Sequence, residues 1–177
     1  MFPILKRNKY FSGKLMSEKD FQDEQDYFRE KHKLHNRFLH GYGVVTGLDV
    51  SISDDPPGKV RVEPGYAIDR MGNDILLLQA QVVDFPERGK RACLIIEWAE
   101  RETDLVPVRS SEVEEELMAA TRVEERATLR LDTARTGEEE LCEDDGIVLA
   151  VLKKRGGVWR VDKRFVVRRV SRGDSHF

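Results

Sequence analysis

The sequence predicts a mainly β domain of the α+β class, with a long N-terminal amphipathic helix followed by an antiparallel β unit of sandwich or barrel type. Three observations predict it. Aromatic and leucine side chains recur at helical spacing from Ser17 to Leu39. Glycines then cluster between Gly41 and Gly47, and the apolar pattern changes. Beyond them, short valine- and isoleucine-rich runs are separated by Pro-Gly, Met-Gly-Asn and Gly-Gly turns. The chain divides accordingly into an arm and helix, 1–40, and a β domain, 41–177.

The helix starts at Ser17, a hydroxyl cap followed by Glu18 and Asp20, whose charges suit the first turn. On a wheel of about 100° per residue, Phe21, Phe28 and Leu39 align, and Tyr27, Leu34 and Phe38 form a neighbouring stripe. Asp23, Asp26, Arg29, Glu30, Lys33, Asn36 and Arg37 occupy the opposite face. A stripe that wide is suited to lie on a core or on a partner, and those six apolar residues are the candidate contact residues. Gly41 ends the helix. Gly43 to Val50 reads as one bent strand, with Gly43 and Gly47 at the bends. Asp54 to Gly58 (DDPPG) is a turn. Val60 and Val62 alternate with charges, Pro64-Gly65 turns the chain, and Ala67-Ile68 leads to a hairpin tip at Met71-Gly72-Asn73. Ile75 to Leu78 and Ala92 to Trp98 are apolar enough to be buried strands.

From Val106 to Ala120 the sequence predicts a proline-containing loop that becomes a short helix near Val113, Leu117 and Met118. Thr121 to Leu131 is a predicted strand. GIVLAVLKK and GVWRVD form a hairpin about Gly156-Gly157, and Phe165 to Val170 is a last strand.

Composition sets the functional bounds. Hydrophobic residues make up 40% and charged residues 36% of the chain, and the formal net charge is -3, too small to imply nucleic acid as a partner. The charges are segregated, however. Glu138 to Asp145 (EEELCEDD) contains six acids and no base, whereas Lys153 to Arg172 contains nine Lys or Arg and one acid, Asp162. Such a division can steer a polyanion or let one subunit meet an opposite patch on its neighbour. Cys93, in an apolar run, reads as a core residue, and with Cys142 makes no disulfide framework. The opening residues are too weakly apolar for a signal peptide, and no later stretch can span a bilayer. Cytoplasmic synthesis without a membrane partner is expected.

Candidate chemistry is sparse. GYGVVTG follows a helix, whereas a phosphate loop follows a strand and precedes a helix, so Gly41, Gly43 and Gly47 read as backbone bends. Pro64, Gly65 and Gly72 read as turn residues. His32 and His35 share a helix side with Glu24, and His40 is near, yet they match no zinc or di-iron pattern. Hydrogen-bonded packing is the expected role. Asp69, Asn73 and Asp74 lack the spacing of a calcium loop and suit a tight turn. Trp159 and Phe165 lie among basic residues and could stack on bases, but they alternate with valines as core residues do. No catalytic set, metal or cofactor is expected.

The run YFSGKLMSEKDFQDEQDYFREKHKLHNRFLHGYGVVTGLDV, from Tyr10 to Val50, followed by VRVEPGYAIDRMGNDI, from Val60 to Ile75, resembles a domain of phage-tail-like contractile injection systems. IIEWAERETDLVPV, TRVEERATLRL and GIVLAVLKKRGGVWRVD fit the same pattern, so the likeness covers most of the chain. The resemblance implies a baseplate, fibre or tail-accessory component without catalytic residues. Its implied partners are further copies of itself and other tail or baseplate proteins, within a tail-like particle. Fibre proteins of this kind are usually longer, so the resemblance favours a small adaptor or attachment piece. The rival reading is a polyanion or nucleic-acid binding module using the basic C-terminal segment.

Overall fold

The computed structural model describes residues 4–54, 57–109, 116–133 and 146–170. One helix, α1 (Glu18–His35), is followed by a π-helical turn at Asn36–His40. Ser17 caps α1 as a capping box. Its amide donates to the Asp20 carboxylate at 2.9 Å, and the Asp20 amide donates back to its hydroxyl. The Ser17 hydroxyl bond, then Lys14, holds the Asp20 carboxyl well below the usual carboxylate range. The predicted helix thus exists, but its last turn is wider than an α-turn. The Gly41 amide reaches back to the Asn36 carbonyl at 2.9 Å, the spacing of a π-turn.

Among the described residues ten strands follow: β1 (Gly43–Gly47), β2 (Val50–Asp54), β3 (Pro57–Val62), β4 (Gly65–Ile68), β5 (Asp74–Leu77), β6 (Gln81–Asp84), β7 (Arg91–Arg109), β8 (Glu116–Asp132), β9 (Ile147–Arg155) and β10 (Val158–Val161). They form three antiparallel sheets, ordered β1-β4-β5, β2-β3-β6 and β10-β9-β7-β8. One core joins them, built from residues such as Val44, Val60, Val62, Ile75, Leu94, Ile96, Leu152 and Trp159. Full burial of such a side chain contributes roughly 1.5–3 kcal/mol.

The predicted bent strand is two strands in different sheets. The chain leaves the first sheet at Gly47 (φ 62) and Leu48 (φ 58) and enters the second at Val50. The return corner, from β3 to β4, lies against it. Leu48 N donates to Pro64 O, Glu63 N donates to Asp49 O, and Gly47 pairs with Gly65. A Cβ on Gly47 would lie 2.2 Å from Pro64 O, and one on Gly65 would lie 2.4 Å from Leu48 N. Two glycines are needed because two backbones cross there without room for a side chain.

The hairpin tip at Met71-Gly72-Asn73 is a turn, as expected. Buried Asp69 accepts from the Asn73 amide at 2.8 Å and from its side-chain amide at 2.7 Å. These bonds engage the carboxylate inside the turn.

Several expectations are corrected. Ile75 to Leu78 is buried on one side alone: Ile75 and Leu77 enter the core while Leu76 and Leu78 are exposed, because β5 is an edge strand with one wet face. β6 lacks a sequence signal strong enough to predict it. The helix predicted near Leu117 and Met118 is strand, because Leu105 to Val108 pairs in register with Leu117 to Ala120; Val113 lies outside the described residues. Pro107 is tolerated there because β7 has a second neighbour, β9, solely along Arg91–Ile96. Phe165 to Val170 makes no strand. A single bridge joins Arg169 to Val44, and the segment is anchored by Val44 N to Arg168 O and Val170 N to Val44 O. Cys93 is buried, as expected, and Cys142 falls outside the described residues.

The β7 run ACLIIEW is apolar on consecutive residues because both faces are covered. Ala92, Leu94 and Ile96 enter the main core, while Cys93 and Ile95 pack with Val151 and Phe165. Beyond Trp98 the β7–β8 pair projects as a two-stranded arm, with exposed Leu105, Val106 and Met118.

Candidate functional site

The helix docks on the β domain through polar groups. Asp74, at the start of β5, is the hub of the latch. It accepts from Asn36 Nδ2 at 2.9 Å, pairs with His32 Nε2 at 2.7 Å and accepts from the Tyr66 hydroxyl. Asn36, the buried residue of the π-turn, also donates to Gly72 O at 2.9 Å. Arg29 pairs with Glu100 at 2.8 Å, and the Lys33 ammonium sits over the Trp98 ring, 5.5 Å from its centroid. Gly72 has a second duty here. A Cβ on it would lie 2.4 Å from Lys33 O, so the glycine also admits the helix backbone to the hairpin tip.

The wheel reading left the apolar stripe to a core or a partner, and the side that docks on this domain is the other one. Arg29, Lys33 and Asn36, assigned to the solvent face, are the docking side. The aromatic stripe turns outward: Phe21 and Phe28 are each 58% exposed, and Phe38 and Leu39 are exposed as well. Tyr27 and Leu34 are half-buried, and Tyr27 meets Phe28 edge-to-face with ring centroids 5.2 Å apart. No residue of α1 is buried. Burial of the stripe in this chain's own core is thereby overturned. The physical reason is that Asn36, His32 and Arg29 find charged or carbonyl partners on the hairpin tip and on β7, while the core is already closed by strands. The Asp74–Asn36 bond and the Gly72 approach carry no hydrophobic signal, so the wheel could not see them.

Replacing Asp74 with Ala removes three bonds at once. It is expected to cost about 1–3 kcal/mol and to raise amide exchange along α1 well above that of β7. Unchanged exchange in the helix would show that the latch holds nothing. The latch also has an alkaline limit. Burial, then the Asp74 carboxylate, pushes the Tyr66 phenol above the usual tyrosine range, and the neutral phenol is the donor. A raised folded value means that this stabilisation is complete below about pH 10 and is lost as pH rises through the folded value. Absorbance titration of the tyrosines should therefore show a late-titrating phenol that is absent in Tyr66→Phe.

The other candidates separate. His35 and His40 bring their Nε2 atoms within 3.1 Å, whereas His32 bonds to Asp74. Among the described residues no group of three or more His, Cys, Asp or Glu is placed to hold a metal ion. Trp159 is buried and stacks on Phe85 at 5.7 Å, and Phe165 packs beside Cys93, Ile95 and Val151, as core residues do. No helix among the described residues is long and apolar enough to cross a membrane.

No family model matches the sequence, and no curated protein matches it either. Solved structures do. A chain of the type VI secretion system TssK-TssF-TssG baseplate subcomplex, solved by cryo-electron microscopy, is similar over 93% of this chain, with a TM-score of 0.56 and 16% identity. The crystal structure of TssK is similar over the same 93%, with a TM-score of 0.58 and 14% identity. The fold is shared with these two solved chains. The baseplate complex from the type VI secretion system supplies a further match, at 0.56 and 15%. This chain spans 62%, 42% and 60% of those three chains.

Proposed function

We propose that the chain is a structural, non-catalytic subunit of the baseplate of a contractile, tail-like injection machine, and that α1 is the face through which it is built in. The observation that carries the reading is the fold shared with type VI baseplate chains over 93% of this chain. The outward stripe of α1 supports it: Phe21, Phe28 and Leu39 are large apolar side chains that a lone soluble domain gains nothing by exposing. Phe38, with Tyr27 and Leu34 at the margin, widens the patch. The solved relative is assembled with other baseplate proteins, TssF and TssG. By analogy the partners here are baseplate proteins and further copies of the chain, and the role is that of an attachment piece within the particle.

The test is co-purification. A tagged chain, produced together with the sheath, tube and baseplate proteins of its own locus, should be recovered with identified baseplate proteins and appear in assembled particles. A chain that stays alone in an extract containing that full set overturns the reading.

A further inference from the structure

The turn that ends α1 brings two imidazoles together. His35 is the last residue of α1 and His40 the last of the π-turn. In an ordinary α-helix, with 3.6 residues per turn, side chains five apart point about 140° away from each other. A π-turn is wider, so residues five apart sit on one side. The Nε2 atoms of His35 and His40 accordingly converge to 3.1 Å, with ring centroids 5.0 Å apart and planes at 63°. Both residues are exposed.

Other groups hold this geometry in place. Asn36, buried under the turn, donates to Gly72 O and to the Asp74 carboxylate. Gly41, at a φ of 73, returns its amide to Asn36 O at 2.9 Å. His32 directs its Nε2 to Asp74 at 2.7 Å, and its ring stacks on that of His35, 21° from parallel with centroids 6.4 Å apart. Asp74 thus fixes His32, and His32 limits where the His35 ring can turn. Outer partners that orient a ligating ring are a regular part of metal sites.

Two facing Nε2 atoms suit one shared electrophile. An ion bound at about 2.0–2.1 Å from each nitrogen would see the two, 3.1 Å apart, at an angle of about 100°. That lies between the right angle of tetragonal copper(II) and the tetrahedral angle of zinc(II), and imidazole is a ligand for both. Among the described residues no third His, Cys, Asp or Glu joins the pair, so water completes the coordination.

We propose that His35 and His40 form a two-imidazole chelate for a divalent transition-metal ion of the zinc and copper class. The ion closes a ring across the π-turn, from the end of α1 to the residue before Gly41. It binds the folded turn in preference to the unfolded chain, and so stabilises the junction between helix and β domain. The proposal does not rest on the baseplate reading.

The test uses the full, untagged chain, stripped of metal with a chelator, and zinc(II) or copper(II) salts as probes. Calorimetry should give one zinc ion per chain, and the electron paramagnetic resonance spectrum with copper should show coupling to imidazole nitrogen. His35→Gln and His40→Gln should each weaken zinc binding at least about tenfold, since loss of even an outer partner costs about 10–100-fold. His176→Gln, which leaves the pair intact, should bind zinc as the unaltered chain does. Zinc should also raise the melting temperature of the unaltered chain and slow amide exchange at residues 36–41, with neither effect in the His35 and His40 variants. Circular dichroism checks that every variant is folded. No uptake of either metal by the unaltered chain, zinc binding that survives either single substitution, or a melting temperature that zinc leaves unchanged overturns the proposal.

Discussion

Gly65→Ala is expected to lower stability by more than about 3 kcal/mol, or to leave the protein unfolded. The added methyl would lie 2.4 Å from Leu48 N, 2.5 Å from Thr46 O and 2.8 Å from Gly47 C. All three are backbone atoms, so no side-chain rotation relieves the overlap. The corner is also where β1 passes to β2 and β3 passes to β4, and a shift there moves Leu48 and Val62, both in the core. Gly47→Ala should do at least as much harm, because its Cβ would lie 2.2 Å from Pro64 O at a φ of 62. Gly58→Ala is the control: its φ is 80, but nothing lies within 4 Å, so it should cost about 1 kcal/mol. Urea denaturation reads all three. A Gly65→Ala midpoint equal to that of the unaltered chain would mean that the two corners do not cross as described.

Replacing Phe21 and Phe28 together with Asp is expected to abolish assembly while leaving the fold intact. Both rings are 58% exposed, so loss of either should shift stability by no more than about 0.5 kcal/mol. A buried phenylalanine would instead cost about 3–5 kcal/mol on truncation to Ala. An interface anchor of this size typically contributes 2 kcal/mol or more to binding, a loss of at least about thirtyfold per ring, and a carboxylate placed in an apolar contact adds desolvation to that. Thermal melting of the isolated chain and its recovery in particles are the paired measurements. A large drop in melting temperature would return the stripe to the core. Normal assembly of the double variant would remove α1 from the contact surface.

Local patterns in the sequence predicted much of the fold. Ser17 and Asp20 mark the helix start because a cap is a local hydrogen-bond problem. Asp69, Gly72 and Asn73 mark a turn for the same reason, and Gly156-Gly157 marks the β9–β10 hairpin. The patterns failed where distant strands supplied the answer. Leu117 and Met118 look helical until Val108 and Pro107 stand opposite them. Phe165 to Val170 looks like a strand, but a single bridge, at Arg169, is all that the neighbouring β1 offers it. Apolar periodicity identified the stripe of α1 but left it to a core or a partner, and the structure removes the chain's own core from that choice.

The amino-acid order is sufficient for the class of fold, the presence of the helix, the glycine corners and the separation of acidic from basic segments, since each depends on residues close together along the chain. Which side of the helix faces the domain is a property of three dimensions. Asp74 gathers Asn36, His32 and Tyr66 from separate elements, and Gly72 clears space for the Lys33 backbone. The His35–His40 pair likewise exists because the π-turn, held by Asn36, carries residues five apart onto one side. Polar latches and ligand pairs of this kind have no apolar period, so they become visible once the chain has brought their members together.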